Sequence, residues 1–366
     1  MSEASRNDGA QPPSSSRGVH TLAEILSQPQ CWSDCLKRLE SGETVPRIVK
    51  QFGATEEWVF IGCGSSYYIA LAAASSWAAI TGTRTRALPA SELLLFPDLA
   101  FLGLKAFVPV LISRSGQTSE VLRVAQLFKD KQISSLAVSC ASGEKLETMA
   151  TASILLPEAD EQSTVMTRAF TSMLLALQYV AATLAGDGGL LQDLSRVPAV
   201  VERVLPDLPG KVREFVARNP FSDYVCLGQG PYYGLACESA LKVMEMSQTY
   251  AQSFHTLEFR HGPKSIVNAS TLVTLLLSDQ NHDAEIEVLE EMKELGGKTL
   301  VVAKNITARA RAASDLAVDL DSTLPEISCL APFVLAGQLI GFHNALRKGL
   351  DPDRPANLSR VVLLAD

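Results

Sequence analysis

Long uninterrupted apolar runs are missing from this sequence. The richest, near Leu330–Phe342, is broken by Pro332 and Gln338, short of the roughly 18 apolar residues a membrane span needs. Cysteine pairing signals are missing as well. The seven cysteines form no CxxC, and Cys31 and Cys35 stand one helical turn apart, so reduced, mostly buried thiols are expected rather than a disulfide framework or a zinc site. No basic excess exists: 32 Lys+Arg against 40 Asp+Glu leave a net charge of −8, which argues against a nucleic-acid partner. Aromatics are scarce, at 6%. The polar opening Met1–Gly18, with Pro12-Pro13 and Ser14–Ser16, lacks the apolar core of a signal peptide. Residues 1–19 therefore read as a disordered tail on a cytoplasmic protein.

What is present has the grammar of an α/β protein. Tyr224–Leu227 is an apolar strand, Gly228-Gln-Gly230 a tight turn, and a long helix follows, the order in which such folds build a ligand crevice. On that helix Glu238, Lys242 and Glu245 fall at i, i+4 and i+7 and share one face. By spacing alone such a face is ordinarily a solvated ion-pair ladder. Ala236, Ser239 and Ala240 let the helix sit close to a neighbour. Sixteen residues after Glu245 comes His261, in a loop marked by Gly262-Pro263; a lone loop histidine is ordinarily a surface residue. Carboxylates and a histidine near one anion-binding turn nevertheless make a workable set for moving protons on a phosphorylated substrate.

The same grammar stands upstream. Trp58–Ile61 is a strand, Gly62-Cys-Gly64-Ser65-Ser66 a turn, and Tyr67–Thr81 an Ala-rich helix; a dinucleotide fingerprint would need glycine where Tyr67 stands. Phe107–Ile112 is a strand ending in Ser113-Arg114-Ser115-Gly116-Gln117-Thr118, ahead of the helix Ser119–Lys129. Two strand-to-helix turns rich in Ser and Thr favour a phosphate cradle over two capping boxes. The recurrence predicts two tandem doubly wound parallel sheets, flavodoxin-like, with helices on both faces. The expected parts are N-terminal helices over 20–50, a first unit over 51–190, a helical connector over 191–219 and a second unit over 220–366. The loop Ser278–His282 stands where the Ser113 loop does but differs in composition, so the second unit is expected to lack a phosphate site.

These residues resemble the SIS (sugar isomerase) family, and the two-unit arrangement is similar to the isomerase half of glucosamine-6-phosphate synthase. The resemblance runs from about Leu22 to the C-terminus and is most specific over Gly228–Pro263. It implies phosphate binding by Ser66, Ser113, Ser115 and Thr118, to which the turn sequence adds Ser65 and Arg114. It implies proton transfer between C1 and C2 at Glu245, ring opening at His261, and Glu238 and Lys242 in the site, with the histidine supplied by the other subunit of a homodimer. Thr164 and Met166 stand in the loop that surrounds the sugar, where Met166-Thr-Arg168 departs from the family's Ser-Thr-Lys. Arg360 occupies the segment whose lysine forms a Schiff base in the synthase. Ser2 follows Met1 where the synthase has a cysteine nucleophile, so a glutamine-dependent reaction is not expected.

The expectation is a phosphosugar isomerase or aminosugar-phosphate deaminase-isomerase that needs no metal or cofactor. Two alternatives stand beside it: a deglycase cleaving a fructosamine-6-phosphate-type adduct, and a non-catalytic sugar-phosphate sensor.

Overall fold

The computed structural model describes residues 17–103 and 106–364. Two five-stranded sheets, entirely parallel, follow one plan. The first comprises β1 (Glu57–Gly62), β2 (Arg84–Pro89), β3 (Phe107–Ile112), β4 (Leu136–Ser139) and β5 (Ala152–Leu155) in the order β2-β1-β3-β4-β5. The second comprises β6 (Asp223–Leu227), β7 (Tyr250–Phe254), β8 (Thr271–Leu276), β9 (Lys298–Ala303) and β10 (Leu316–Asp319) in the order β10-β9-β8-β6-β7. Read from the other edge, that is the same order, and it is the flavodoxin-like one. Strands β1 and β8 are buried throughout, as strands covered by helices on both faces must be.

The edge strands β2, β7 and β10 carry no apolar run and are not foreseen from the sequence. They are half-exposed, so only part of each needs to be hydrophobic. The expectation of a tail over 1–19 is also too long. Residues 1–16 lie outside the described residues, but Val19 already opens the helix Val19–Leu26, and Gly18 N donates to Asp351 Oδ1 at 2.9 Å. A further correction concerns hydropathy. The helix Arg168–Ala185 is long and apolar enough to cross a membrane by length and composition. It is mostly buried inside the protein, where it runs against the helix Ser65–Thr81, and is a core helix.

One continuous hydrophobic cluster runs from Ile25 through both units to Ala345, so the inner faces of the two sheets share a core. At its centre lies the helix Tyr232–Ser247, and glycines decide how closely its neighbours approach. A Cβ on Gly234 would fall 2.6 Å from Ala72 N and 2.7 Å from Tyr68 O, in the helix Ser65–Thr81. On the other side, Cβ atoms on Gly337 and Gly341, in the helix Leu335–Arg347, would lie 2.5 Å from Ser239 Cβ and 2.7 Å from Lys242 O. The helix carrying Glu238, Lys242 and Glu245 is thus wedged between two backbones. Overpacking at such contacts is costly. Gly234→Ala should lower the unfolding free energy by about 2 kcal/mol or more in urea titrations. Gly210→Ala, where a Cβ meets nothing within 4 Å, should raise it by about 0.5 kcal/mol.

Candidate active site

The first strand order reverses between β1 and β3, so their carboxyl ends open a crevice. Gly62 ends β1, and a Cβ there would stand 2.4 Å from Ser66 C; only glycine lets the helix begin that close to the strand. Gly64 takes φ +54° and the helix starts at Ser65. Across the crevice Ser113 N donates to Val138 O at 3.0 Å, and the Ser113 and Thr118 hydroxyls lie 3.0 Å apart. Ser115 Oγ accepts from Gln117 N at 3.2 Å, and Gly116, at φ +64°, turns the loop into the helix Ser119–Asp130. Two helix N-termini and several small hydroxyls therefore flank one switch point, an arrangement suited to a phosphate.

Behind this crevice lies a cluster of charge. Glu238 and Lys242 have fully buried side chains, and that of Glu245 is 18% exposed. Lys242 Nζ lies 3.3 Å from Glu238 Oε1 and forms a close ion pair with Glu245 Oε2. The charged face is the reverse of a solvated ladder. Burial pushes the Glu238 carboxyl up to about 8, with Glu245 adding to the rise, against the pull of Lys242 and the Ser65 hydrogen bond. Burial pulls the Lys242 ammonium down, but Glu238 and Glu245 outweigh it and hold it above its ordinary value. Glu238 Oε2 is buried with no partner among the described residues.

The other expected residues divide. Ser66 is buried on the turn, with no side-chain hydrogen-bond partner among the described residues. Ser65 Oγ, by contrast, is engaged: it donates to Glu238 Oε1 at 3.2 Å and accepts from Lys242 Nζ at 3.3 Å. Arg114 is buried and directed away from the loop hydroxyls. It donates to Glu161 Oε2 at 3.1 Å and to the carbonyls of Val165, Thr164 and Arg360 at 3.2, 2.9 and 3.2 Å, so it ties loops together rather than pointing at an anion. Met166 packs in the hydrophobic core, because an unbranched thioether is better accommodated there than against a sugar's hydroxyls. Thr164 is half-buried, and its N–H donates to Asp353 O at 3.3 Å.

Arg360 forms an ion pair with Asp160, a partner 200 positions away that no local pattern reveals. The C-terminal segment then runs across the start of the helix Ser119–Asp130: Ser119 N donates to Val362 O at 3.3 Å, and Leu364 N to Ser119 Oγ at 3.0 Å. His261 is not joined to the Glu238–Lys242–Glu245 cluster by any hydrogen bond or ion pair. It lies exposed between two short 3-10 turns, Glu258–Arg260 and Pro263–Ile266, and its ring has no hydrogen-bond partner among the described residues.

The second unit repeats the crevice and fills it. A Cβ on Gly228 would stand 2.5 Å from Tyr232 O, and Gly230 takes φ +55°, matching Gly62 and Gly64. Leu277 N donates to Val302 O as Ser113 N does to Val138 O. The structural counterpart of Ser113 is therefore the buried Leu277, one residue before the position that composition suggested. The next donors are occupied by the chain's own carboxylates. Ser278 N and Oγ bond Glu285 at 2.9 and 3.0 Å, while Asp279 N and the Tyr232 hydroxyl bond Glu326 Oε1 at 2.7 and 3.0 Å. A groove of about 940 Å³ lies elsewhere, along β5 between Arg38, Arg47 and Glu147, and none of the site residues above lines it.

A model of the SIS domain matches residues 55–183 and 224–340. The chain is 26% identical over 343 residues to the isomerizing glutamine–fructose-6-phosphate aminotransferase of Methanothermobacter thermautotrophicus, covering 93% of this chain and 57% of that protein. It therefore spans little more than half the length of that relative. The crystal structure of glucosamine-6-phosphate deaminase from Thermotoga maritima is similar with a TM-score of 0.76 at 28% identity, covering 94% of this chain and 99% of the other. The tagatose-6-phosphate ketose/aldose isomerase of Escherichia coli shares the fold, with a TM-score of 0.81 at 22% identity over 98% and 99% of the two chains.

Two outcomes are expected. Glu238 ionises near 4.5 when exposed but near 8 in the folded protein, so between those values the native state binds more protons and the residue's contribution to stability falls as pH rises. Glu238→Gln lacks that slope, and the difference in unfolding free energy, variant minus wild type, should grow from pH 5 to pH 8 in urea titrations. In the crevice, Ser113→Ala combined with Thr118→Ala should weaken sugar-phosphate binding by about 3 kcal/mol, read by calorimetry; unchanged affinity would remove the phosphate from this loop.

Proposed function

The chain belongs to the SIS family, and from that premise we propose that it is a phosphosugar isomerase or an aminosugar-phosphate deaminase-isomerase. It moves a proton between C1 and C2 of a hexose 6-phosphate derivative. The observation that carries this reading is the buried Glu238–Lys242–Glu245 cluster, bonded through Ser65 to the turn of the hydroxyl-lined crevice. Ser66, Ser113, Ser115 and Thr118 hold the phosphate. Glu245 is the member of the cluster that reaches solvent, and so substrate; its carboxylate takes the proton from one carbon of the open-chain sugar and returns it to the next. Lys242, ion-paired with Glu245, holds that carboxylate in position for the transfer.

Burying two acidic side chains around one ammonium is expensive, and a pure binder has no need of it, which disfavours the sensor reading. The deglycase reading has no observation of its own, since Arg360, the cation that would meet a substrate carboxylate, is paired with Asp160. His261 opens the sugar ring in a homodimer, with each site completed by the other copy. The exposure of His261 and its separation from the cluster support that arrangement.

Glu245→Gln should bind sugar phosphate normally, turn over at least about 100-fold more slowly, and lose solvent-deuterium incorporation at C1 or C2 seen by NMR. Retention of exchange would make the carboxylate structural. Inactive Glu245→Gln and His261→Ala chains should regain activity when refolded together, because one of the two sites in a mixed dimer then receives both intact residues. Mixed dimers verified by mass that stay inactive would place the pair within one chain.

A further inference from the structure

We propose that Ser65 is a positioning residue and not a phosphate ligand: its hydroxyl, held between Lys242 Nζ and Glu238 Oε1, fixes the buried acid–base cluster of the second unit to the first turn of the first unit's phosphate helix. The assignment rests on the functional reading above. Its basis is geometric. Ser65 and Ser66 are adjacent, both buried, at the start of one helix. Successive helical residues point about 100° apart, so the two hydroxyls cannot serve the same ligand equally well. Ser65 Oγ takes the direction of the neighbouring helix, donating to Glu238 at 3.2 Å and accepting from Lys242 at 3.3 Å. The close crossing at Gly234 and Ala72 brings it within reach.

With its proton given to Glu238 Oε1 and a lone pair given to the Lys242 ammonium, Ser65 Oγ has nothing further to donate to a phosphate oxygen. It sets instead the direction of Glu238 Oε1, and with it the geometry in which Lys242 bridges to Glu245. The groups facing Glu238 come from two elements. Cys237, Lys242 and Glu245 lie on its own helix, and Ser65 and Tyr68 on the helix Ser65–Thr81; Cys226 on β6 faces Cys237 and Ser239 instead. The helix Leu335–Arg347 offers Gly337 and Gly341 at the contact, while its His343 is turned to Arg213 and Pro209.

The test needs no turnover, so its failure and the failure of the isomerase reading are distinguishable. Inorganic phosphate affinity is measured by calorimetry for wild type, Ser65→Ala, Ser65→Thr and Ser66→Ala. The protonated-carboxyl stretch of Glu238, assigned by its loss in Glu238→Gln, is followed by infrared titration in the same proteins. The expected result is phosphate affinity within about twofold of wild type in Ser65→Ala and at least about tenfold weaker in Ser66→Ala. Loss of the Ser65 donor should move the Glu238 midpoint upward by about half a pH unit or more, and Ser65→Thr, which keeps the hydroxyl, should restore it. A tenfold loss of phosphate affinity in Ser65→Ala, or a Glu238 midpoint unmoved in that variant, overturns the proposal.

Discussion

A single ammonium, Lys242 Nζ, lies between two acidic side chains, Glu238 and Glu245, in the interior of the molecule, and the surrounding architecture can be derived from that contact. A buried cluster of two acids around one ammonium is costly to desolvate and persists only where its geometry is held rigidly and its polar atoms are bonded. The helix Tyr232–Ser247 achieves this by lying between two other helices at backbone contact, with glycine at 234, 337 and 341 removing the side chains that would hold them apart. Burial and cluster are therefore one constraint. Wider helix spacing would admit water, and water would return Glu238 and Lys242 to their ordinary ionisation. Among the described residues Glu238 Oε2 has no partner, and there the cluster is left incomplete.

The two units share a strand order and the same pair of turn glycines, yet they have divided the work. In the first, the crevice at the carboxyl ends of β1 and β3 keeps free hydroxyls. In the second, Leu277 replaces a serine, and Glu285 and Glu326 accept the donors that would otherwise face an anion. What the second unit retains is the helix that follows its turn, and that helix carries the titratable residues. The buried charged cluster lies near the place where the first helix of one unit crosses its counterpart in the other, at Ala72 and Gly234.

Much of this was legible in the sequence because it is local. Strands covered on both faces, such as β1, β3 and β8, write themselves as apolar runs, and the turn glycines recur in both units. The edge strands β2, β7 and β10 were not legible, because half-exposed strands need no such run. The Glu238–Lys242–Glu245 spacing was legible as a face but not as a buried one. That depends on Gly337 and Gly341, about 100 residues further along the chain. Side-chain direction was the least legible feature. Ser65, Arg114 and Met166 sit where a site residue should, but Ser65 turns to the other unit, Arg114 to Glu161, and Met166 into the core, all through contacts distant in sequence.

These directions also bear on the kind of chemistry available. A Schiff base requires an unprotonated amine that can reach a carbonyl. Lys242, enclosed by two acidic side chains, is held charged and has no exposed surface, while Arg360 is a guanidinium bound to Asp160 and cannot lose its proton. Neither group offers a nucleophile, and what remains at the crevice is a carboxylate positioned by an ammonium. That set suits proton transfer along an open-chain sugar. The segment carrying Arg360 has a different role here. Its carbonyl accepts from Arg114, which also binds Glu161 and the carbonyls of Thr164 and Val165. Arg114 thus joins the loop after β3, the loop after β5 and the C-terminal segment into one hydrogen-bonded wall, and displacement of any one of them would leave a buried guanidinium short of partners.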